Sequence, residues 1–136
     1  MKKYLLFGLA GLSIIVIMCV VVVLLHPLRK PTGWIRQDLL KLTPIGTSMD
    51  EVLVTIRQKH KERDISVDYE KGYRVNKEGN LDFTNMPEFS IVGEKTICVS
   101  MGSYRVVFTT YVDVYYGFDE NSELIDILVY KGTDLL

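Results

Sequence analysis

Histidine and cysteine are nearly missing from this chain, with two of each in 136 residues. His26 directly follows the apolar N-terminal run, which leaves His60 as the single histidine of the later chain. Nucleophilic catalysis of the serine or cysteine kind needs a base beside the nucleophile. His60 sits in a basic stretch with Arg57, Lys59, Lys61 and Arg63, where the end of a helix favours cations. One histidine and one cysteine give no zinc spacing. Cys19 falls inside the apolar run and Cys98 in an alternating stretch, so no disulfide framework is expected, and Cys98 reads as a small inert thiol. No glycine-rich phosphate loop occurs. Asp119, Glu120 and Glu123 cluster, but without the ligand spacing and glycine of a calcium loop. The reading is of a chain that is not an enzyme, with no catalytic, cofactor-binding or metal residues, no cofactor and no small-molecule substrate.

Acids are missing from the first 25 residues: all 17 lie later, with 14 of the 16 bases, which leaves that part near −3. A charge so weak and mixed does not suit nucleic acid, which calls for a basic face. Tyr4 to Leu25 carries no charge over 22 residues. As a helix at about 1.5 Å per residue this run would reach across a hydrocarbon core of ~30 Å. Proline at 27 and 31 closes it. It is longer than the apolar stretch of a cleaved signal and is followed by no small-x-small site. Cys19 lies deep in the run after Met18, unlike the cysteine of a lipoprotein signal. The expectation is a single-pass transmembrane helix over 4–25, behind a short basic tail at 1–3 and ahead of a linker at 26–32 and one domain at 33–136. The partners expected are the membrane and another protein. The location expected is the bacterial cytoplasmic (inner) membrane, with the domain outside the cytoplasm.

Within that domain Ile35, Leu39 and Leu42 recur at helical spacing, and Thr43-Pro44 stops the pattern. Ser48 and Glu51 form a capping box ahead of Met49, Val52, Leu53 and Ile56, one apolar stripe. The spacing predicts helices over 32–42 and 49–61, joined as a hairpin by Pro44-Ile45-Gly46. Ile65, Val67 and Tyr69 alternate, Gly72 interrupts, and Tyr73 and Val75 alternate again. Residues 76–87 read as an irregular loop.

The C-terminal third predicts a meander. Gly102-Ser103 reads as a two-residue hairpin loop and Asp119 to Ser122 as a four-residue one. Those loops put Val106, Phe108, Val112, Val114 and Tyr116 on one buried face, with Val114 facing Ile127 and Val112 facing Val129. The fold class expected is α+β: an N-terminal transmembrane helix, then a two-helix hairpin packed on an antiparallel three- to five-stranded β-meander. The other face carries Arg105, Tyr111, Asp113, Tyr115, Leu128 and Tyr130, with Tyr111 opposite Tyr130 and Asp113 opposite Leu128. Asp113 and Asp126 share it as a possible carboxylate pair. So apolar and aromatic a face is either covered by the first hairpin or the 76–93 segment, or it binds a partner through tyrosine and arginine anchors.

Two stretches, "TPIGTSMDEVLVTIRQK" and "VYYGFDENSELIDILVYK", resemble the BamE-like (SmpA/OmlA) α-α-β-β-β domain. The matching positions are Gly46, Ser48 and Val52 at the helix start and Phe118, Asp119 and Leu124 in the last hairpin. The resemblance implies a non-catalytic protein-binding domain of the cell envelope. Since some relatives of this fold inhibit secreted enzymes, it also admits a membrane-bound immunity or inhibitor protein that occludes a toxin or hydrolase.

Overall fold

The computed structural model describes residues 11–21, 25–82 and 88–134. They belong to two separate units, 1–30 and 31–136. In the first, residues 11–21 form a helix, α1, and Pro27–Arg29 a 3-10 turn. The apolar side chains of α1 are exposed, from Val21 at 46% to Met18 at 65%. The expected transmembrane helix over 4–25 is corrected here. Among the described residues no helix is long and apolar enough to cross a membrane. The described part of α1 measures about 16 Å, half of a hydrocarbon core. The rest of that expectation, at 4–10 and 22–24, lies outside the described residues.

The second unit opens with α2, Thr32–Leu42. Thr43 ends it from a nearly buried position, its hydroxyl and its N–H both donating to the Leu39 carbonyl at 3.0 and 2.8 Å. The helix α3, Met49–Arg57, starts as its capping box requires: the Ser48 hydroxyl accepts from the Glu51 N–H at 3.4 Å. Met49, Val52, Leu53 and Ile56 are all buried. α3 is shorter than the 49–61 expected. After Ile56 no apolar residue falls on the buried stripe, and Arg57 turns back to grip both carboxylate oxygens of Glu62 at 2.9 and 3.0 Å. The expected helix hairpin is replaced by separate seats: α2 packs on the last strand, while the entry to α3 is bonded to the turn before that strand.

Six strands follow: β1 Ile65–Asp68, β2 Tyr73–Asn76, β3 Phe89–Val92, β4 Lys95–Arg105, β5 Thr109–Phe118 and β6 Leu124–Thr133. The fold is α+β, with one antiparallel sheet in the order β1-β4-β5-β6 and a separate two-stranded sheet of β2 and β3. The single meander is corrected accordingly. β1 pairs with β4 across the inserted β2–β3 hairpin, which Arg74 steadies by stacking 3.6 Å from the Phe89 ring centre. Part of the predicted 76–87 loop is strand and turn, and 83–87 lies outside the described residues.

Two registers also differ from expectation. β4 runs through Gly102-Ser103, and the chain reverses at Val106-Val107-Phe108. Gly102, at φ +113°, sits at a bulge between Ser100 and Gly102 instead of a turn. The turn pairs Phe118 with Leu124, one residue on from the expected Glu123, and a bulge between Phe118 and Gly117 adds another, so β5 is shifted against β6 by two residues, Val114 facing Val129 and Tyr116 facing Ile127. A shift of two keeps every side chain on its face. Val112, Val114 and Tyr116 are therefore core residues as expected, packed with Ile97, Val99, Phe118 and Ile127. Val106 and Phe108 are not. They lie in the turn, 70% and 46% exposed.

Val114 is wholly buried on the central strand and Tyr111, on the opposite face, is 43% exposed. Val114→Asp should cost several kcal/mol, a large share of the ~5–15 kcal/mol that holds such a domain, and abolish the cooperative melt. Tyr111→Asp should melt within about 0.5 kcal/mol of the parent. The reverse ranking in thermal denaturation would place the core on the other face.

Candidate functional site

Alternation along β5 and the pairings on either side place all six suspected residues on the face away from the core. Tyr111, Asp113 and Tyr115 form its central column. Across β6, Asp113 faces Tyr130 and Tyr115 faces Leu128, so the expected pairings, Tyr111 with Tyr130 and Asp113 with Leu128, are each displaced by two residues. Tyr111 instead faces Gly132, whose missing side chain leaves room for the Tyr130 ring. Arg105 ends β4 opposite Thr109, on the same face.

This face divides in two. At the end near Gly117 it is covered by Tyr73, a residue outside the sequence-based set. Tyr73 is 4% exposed, and its ring lies 5.9 Å from that of Tyr115. Gly117 makes this possible, because a side chain there would strike the Tyr73 ring and Val92. The Tyr73 hydroxyl donates to Asp126 Oδ2 at 2.8 Å, and Arg36 of α2 donates to Asp126 Oδ1 at 2.7 Å. Arg36 Nε also donates to the Ile127 carbonyl at 2.7 Å, capping the outer edge of β6. Burial pushes the Asp126 carboxyl up. The hydrogen bonds from Arg36, Tyr73 and the Ile127 backbone, with the Arg36 charge, outweigh burial and leave it below its ordinary range. Burial and then the bond to Asp126 raise the Tyr73 phenol far above its usual value.

The possible carboxylate pair does not form. Asp113 faces Ser100 and Tyr130, while Asp126 lies against Gly117, about 13 Å along the strand. Cys98 is half-buried beside Tyr115, and burial raises its thiol, so the inert reading fits its surroundings. His60 lines a cavity on the core side of the sheet, with Val99 and Tyr116, whereas Cys98 faces outward. Among the described residues no group of three or more His, Cys, Asp or Glu is placed to hold a metal ion.

The opposite end of the face is open. Arg105 and Tyr111 are exposed there, and the turn beside them presents Val106 and Val107 at 70% and 71% exposure, with Phe108 at 46%. Sequence reasoning placed Val106 and Phe108 in the core because it took Gly102-Ser103 as the hairpin loop, which β4 instead runs through. A different surface, a cleft of ≈ 510 Å³, lies among Glu70, Lys71, Glu94, Asp119 and Glu120. Lys95 shapes its rim by donating to the Glu120 carbonyl at 3.0 Å and the Ser122 hydroxyl at 2.6 Å. Comparison of the chain with protein-family models, curated proteins and solved structures returns no match in any of the three.

Because the folded-state value of Asp126 is depressed, its contribution to stability is complete above the unfolded value of about 3.9 and is lost as pH falls through the folded one. Tyr73→Phe should cost about 1–2 kcal/mol in urea melts at pH 7 and flatten the loss of stability below pH ~4. An unchanged acid limb would mean that the hydroxyl does not hold the carboxylate.

Three phenols give an alkaline counterpart. Burial raises Tyr116 to about 12, and Tyr73 and Tyr115 higher. Raised phenols stabilise the fold below the unfolded value of ~10, and that stabilisation is lost as pH climbs toward the folded values. At pH ~10.7, where an unfolded phenol is roughly five-sixths ionised, denaturant should release an absorbance step of about 2.5 phenolates, and of about 1.7 in Tyr73→Phe. No step on unfolding would show these rings open to water.

Proposed function

We propose that this chain is a non-catalytic protein-binding domain of the cell envelope, of the BamE-like α-α-β-β-β kind. The observation that carries the reading is the open end of the outer face. Three consecutive apolar residues, Val106, Val107 and Phe108, stand exposed at a hairpin turn, with Tyr111 and Arg105 beside them. Covering an exposed Val or Phe side chain is worth roughly 1.5–3 kcal/mol, and tyrosine and arginine are frequent anchors of protein interfaces. The six residues behind the BamE-like resemblance meet at one corner, which supports that fold reading: Gly46 bonds to Leu124, Ser48 bridges Glu123, Asp119 holds the turn, and Val52 and Phe118 are buried beneath.

The cleft favours a second reading, an immunity or inhibitor protein that occludes a toxin or hydrolase. Four carboxylates and one lysine would suit a cationic partner.

In-cell crosslinking of the full chain, followed by capture and mass spectrometry, separates the two. With Val107→Lys/Phe108→Ser, capture of the partner should fall about ten-fold or more while the melting temperature stays unchanged. Equal capture by this variant removes the hairpin tip as the binding surface. Loss with Glu94→Lys/Glu120→Lys instead moves the contact to the cleft and favours the inhibitor.

A further inference from the structure

On the side of β4 away from β5, β1 covers only Thr96 to Val99. From Ser100 to Ser103 the strand has β5 on one side and, among the described residues, no strand on the other, although the 3-10 turn Glu62–Asp64 that leads into β1 lies against β4. Ser100, Gly102 and Ser103 are exposed. An edge of this kind presents backbone donors and acceptors that another extended chain can complete.

A second feature lies against the same segment. Under β4, on the core side, a cavity of ≈ 120 Å³ opens between the ends of the two helices and the sheet. Its walls include Leu42, Ile56, Val99, Met101 and Tyr116. Lys59 and His60, in the turn after α3, stand at the same cavity; Lys59 is exposed and His60 half-buried. Met101 belongs to both features and Val99 precedes the open stretch, so the cavity adjoins that stretch of strand. A strand laid along that stretch, in line with β1, directs alternate side chains toward the core side. One of them would fall at the cavity, whose size suits a single leucine, isoleucine or methionine side chain.

We infer that β4 from Ser100 to Ser103 takes up an extended peptide segment of a protein partner, with one apolar side chain in the cavity and a carboxylate beside Lys59 and His60. The inference rests on the protein-binding reading and names the chemistry of the partner. The bulge at Met101 limits the run of main-chain pairing. Affinity therefore comes chiefly from the buried side chain, and the strand edge supplies orientation. The basic residues select an acidic neighbour and disfavour a basic one.

The test is selection from a random display library of twelve-residue peptides against the full chain in a nonionic detergent. Selected peptides should carry an apolar residue with an acid within three positions, and should slow hydrogen exchange of the Ser100 to Ser103 amides. Two variants act on the cavity from different places: Thr55→Phe fills it from α3, and Leu42→Trp closes it from an exposed position. Whichever keeps the parent melting temperature should weaken the peptides about ten-fold or more. Lys59→Glu/His60→Glu should invert the charge preference.

A library that yields no binder overturns the inference. So does binding that a folded cavity variant leaves intact. Protection of the same amides that rises with chain concentration and no peptide also overturns it, since a second copy of the chain then occupies the edge. In the crosslinking experiment, loss of the partner with Val107→Lys/Phe108→Ser but not with the cavity variants removes this inference alone. Retention with the tip variant and loss with the cavity variants removes the tip reading and leaves the edge.

Discussion

Leu124 joins the helical and sheet parts of the domain. Its N–H donates to the Thr47 carbonyl at 2.9 Å, and its carbonyl accepts from the Gly46 N–H at 2.8 Å. Two residues on, the Met49 N–H donates to the Ser122 carbonyl at 2.9 Å. The start of α3 is thus bonded to the β5–β6 turn before any side chain packs. That turn is held in its own right, with Asp119 accepting from the Glu123 N–H through its side chain at 2.9 Å. With its first residues fixed, α3 can lay Val52, Leu53 and Ile56 on only one part of the sheet. Gly46 fits here because its φ of +89° is one that L side chains rarely adopt. Leu124 itself is fully buried, so the same residue supplies backbone bonds and core volume.

What could be read from the sequence follows from how local each signal is. The start of α3 was legible because Ser48 and Glu51 are three residues apart and the apolar stripe begins beside them. The buried face of β5 was legible because Val112, Val114 and Tyr116 alternate without interruption, and alternation survives a register shift of two. The bulges were not legible. Gly102 needs its positive φ for a bulge, and a hairpin turn would need a glycine in the same place. The strand through it shows only in the pairing of Ser103, Tyr104 and Arg105 with β5. The true turn, Val-Val-Phe, has none of the usual turn residues.

The outer face shows the same limit at longer range. Tyr73 lies 53 residues from Asp126, and Arg36 lies 90. No periodicity links such positions. The one local hint was the pair Gly72 and Gly117: both lack a side chain where another strand comes close, and β2–β3 and β5 meet there. Tyr73 therefore converts half of an apparently open aromatic face into interior. The candidate site is confined to the end that Tyr73 does not reach.

That confinement separates stability from binding along β5. The strand has ten residues, about 30 Å. Its Phe118 end carries the bonded turn, the covered ring of Tyr73 and the edge cap of Arg36. Its Thr109 end carries the exposed turn and the stretch of β4 that β1 does not reach. The bonded turn and the exposed turn lie at opposite ends of one strand. Exposed valines at a turn and a bare strand edge are both routes to self-association, and a core built around them would be at risk when they were altered. Here the fully buried residues Phe118, Leu124 and Ile127 lie at the other end, and Val112 and Val114 carry the core only partway toward the exposed turn. The apolar tip can change, or be covered by a partner, without disturbing the contacts on which the domain folds.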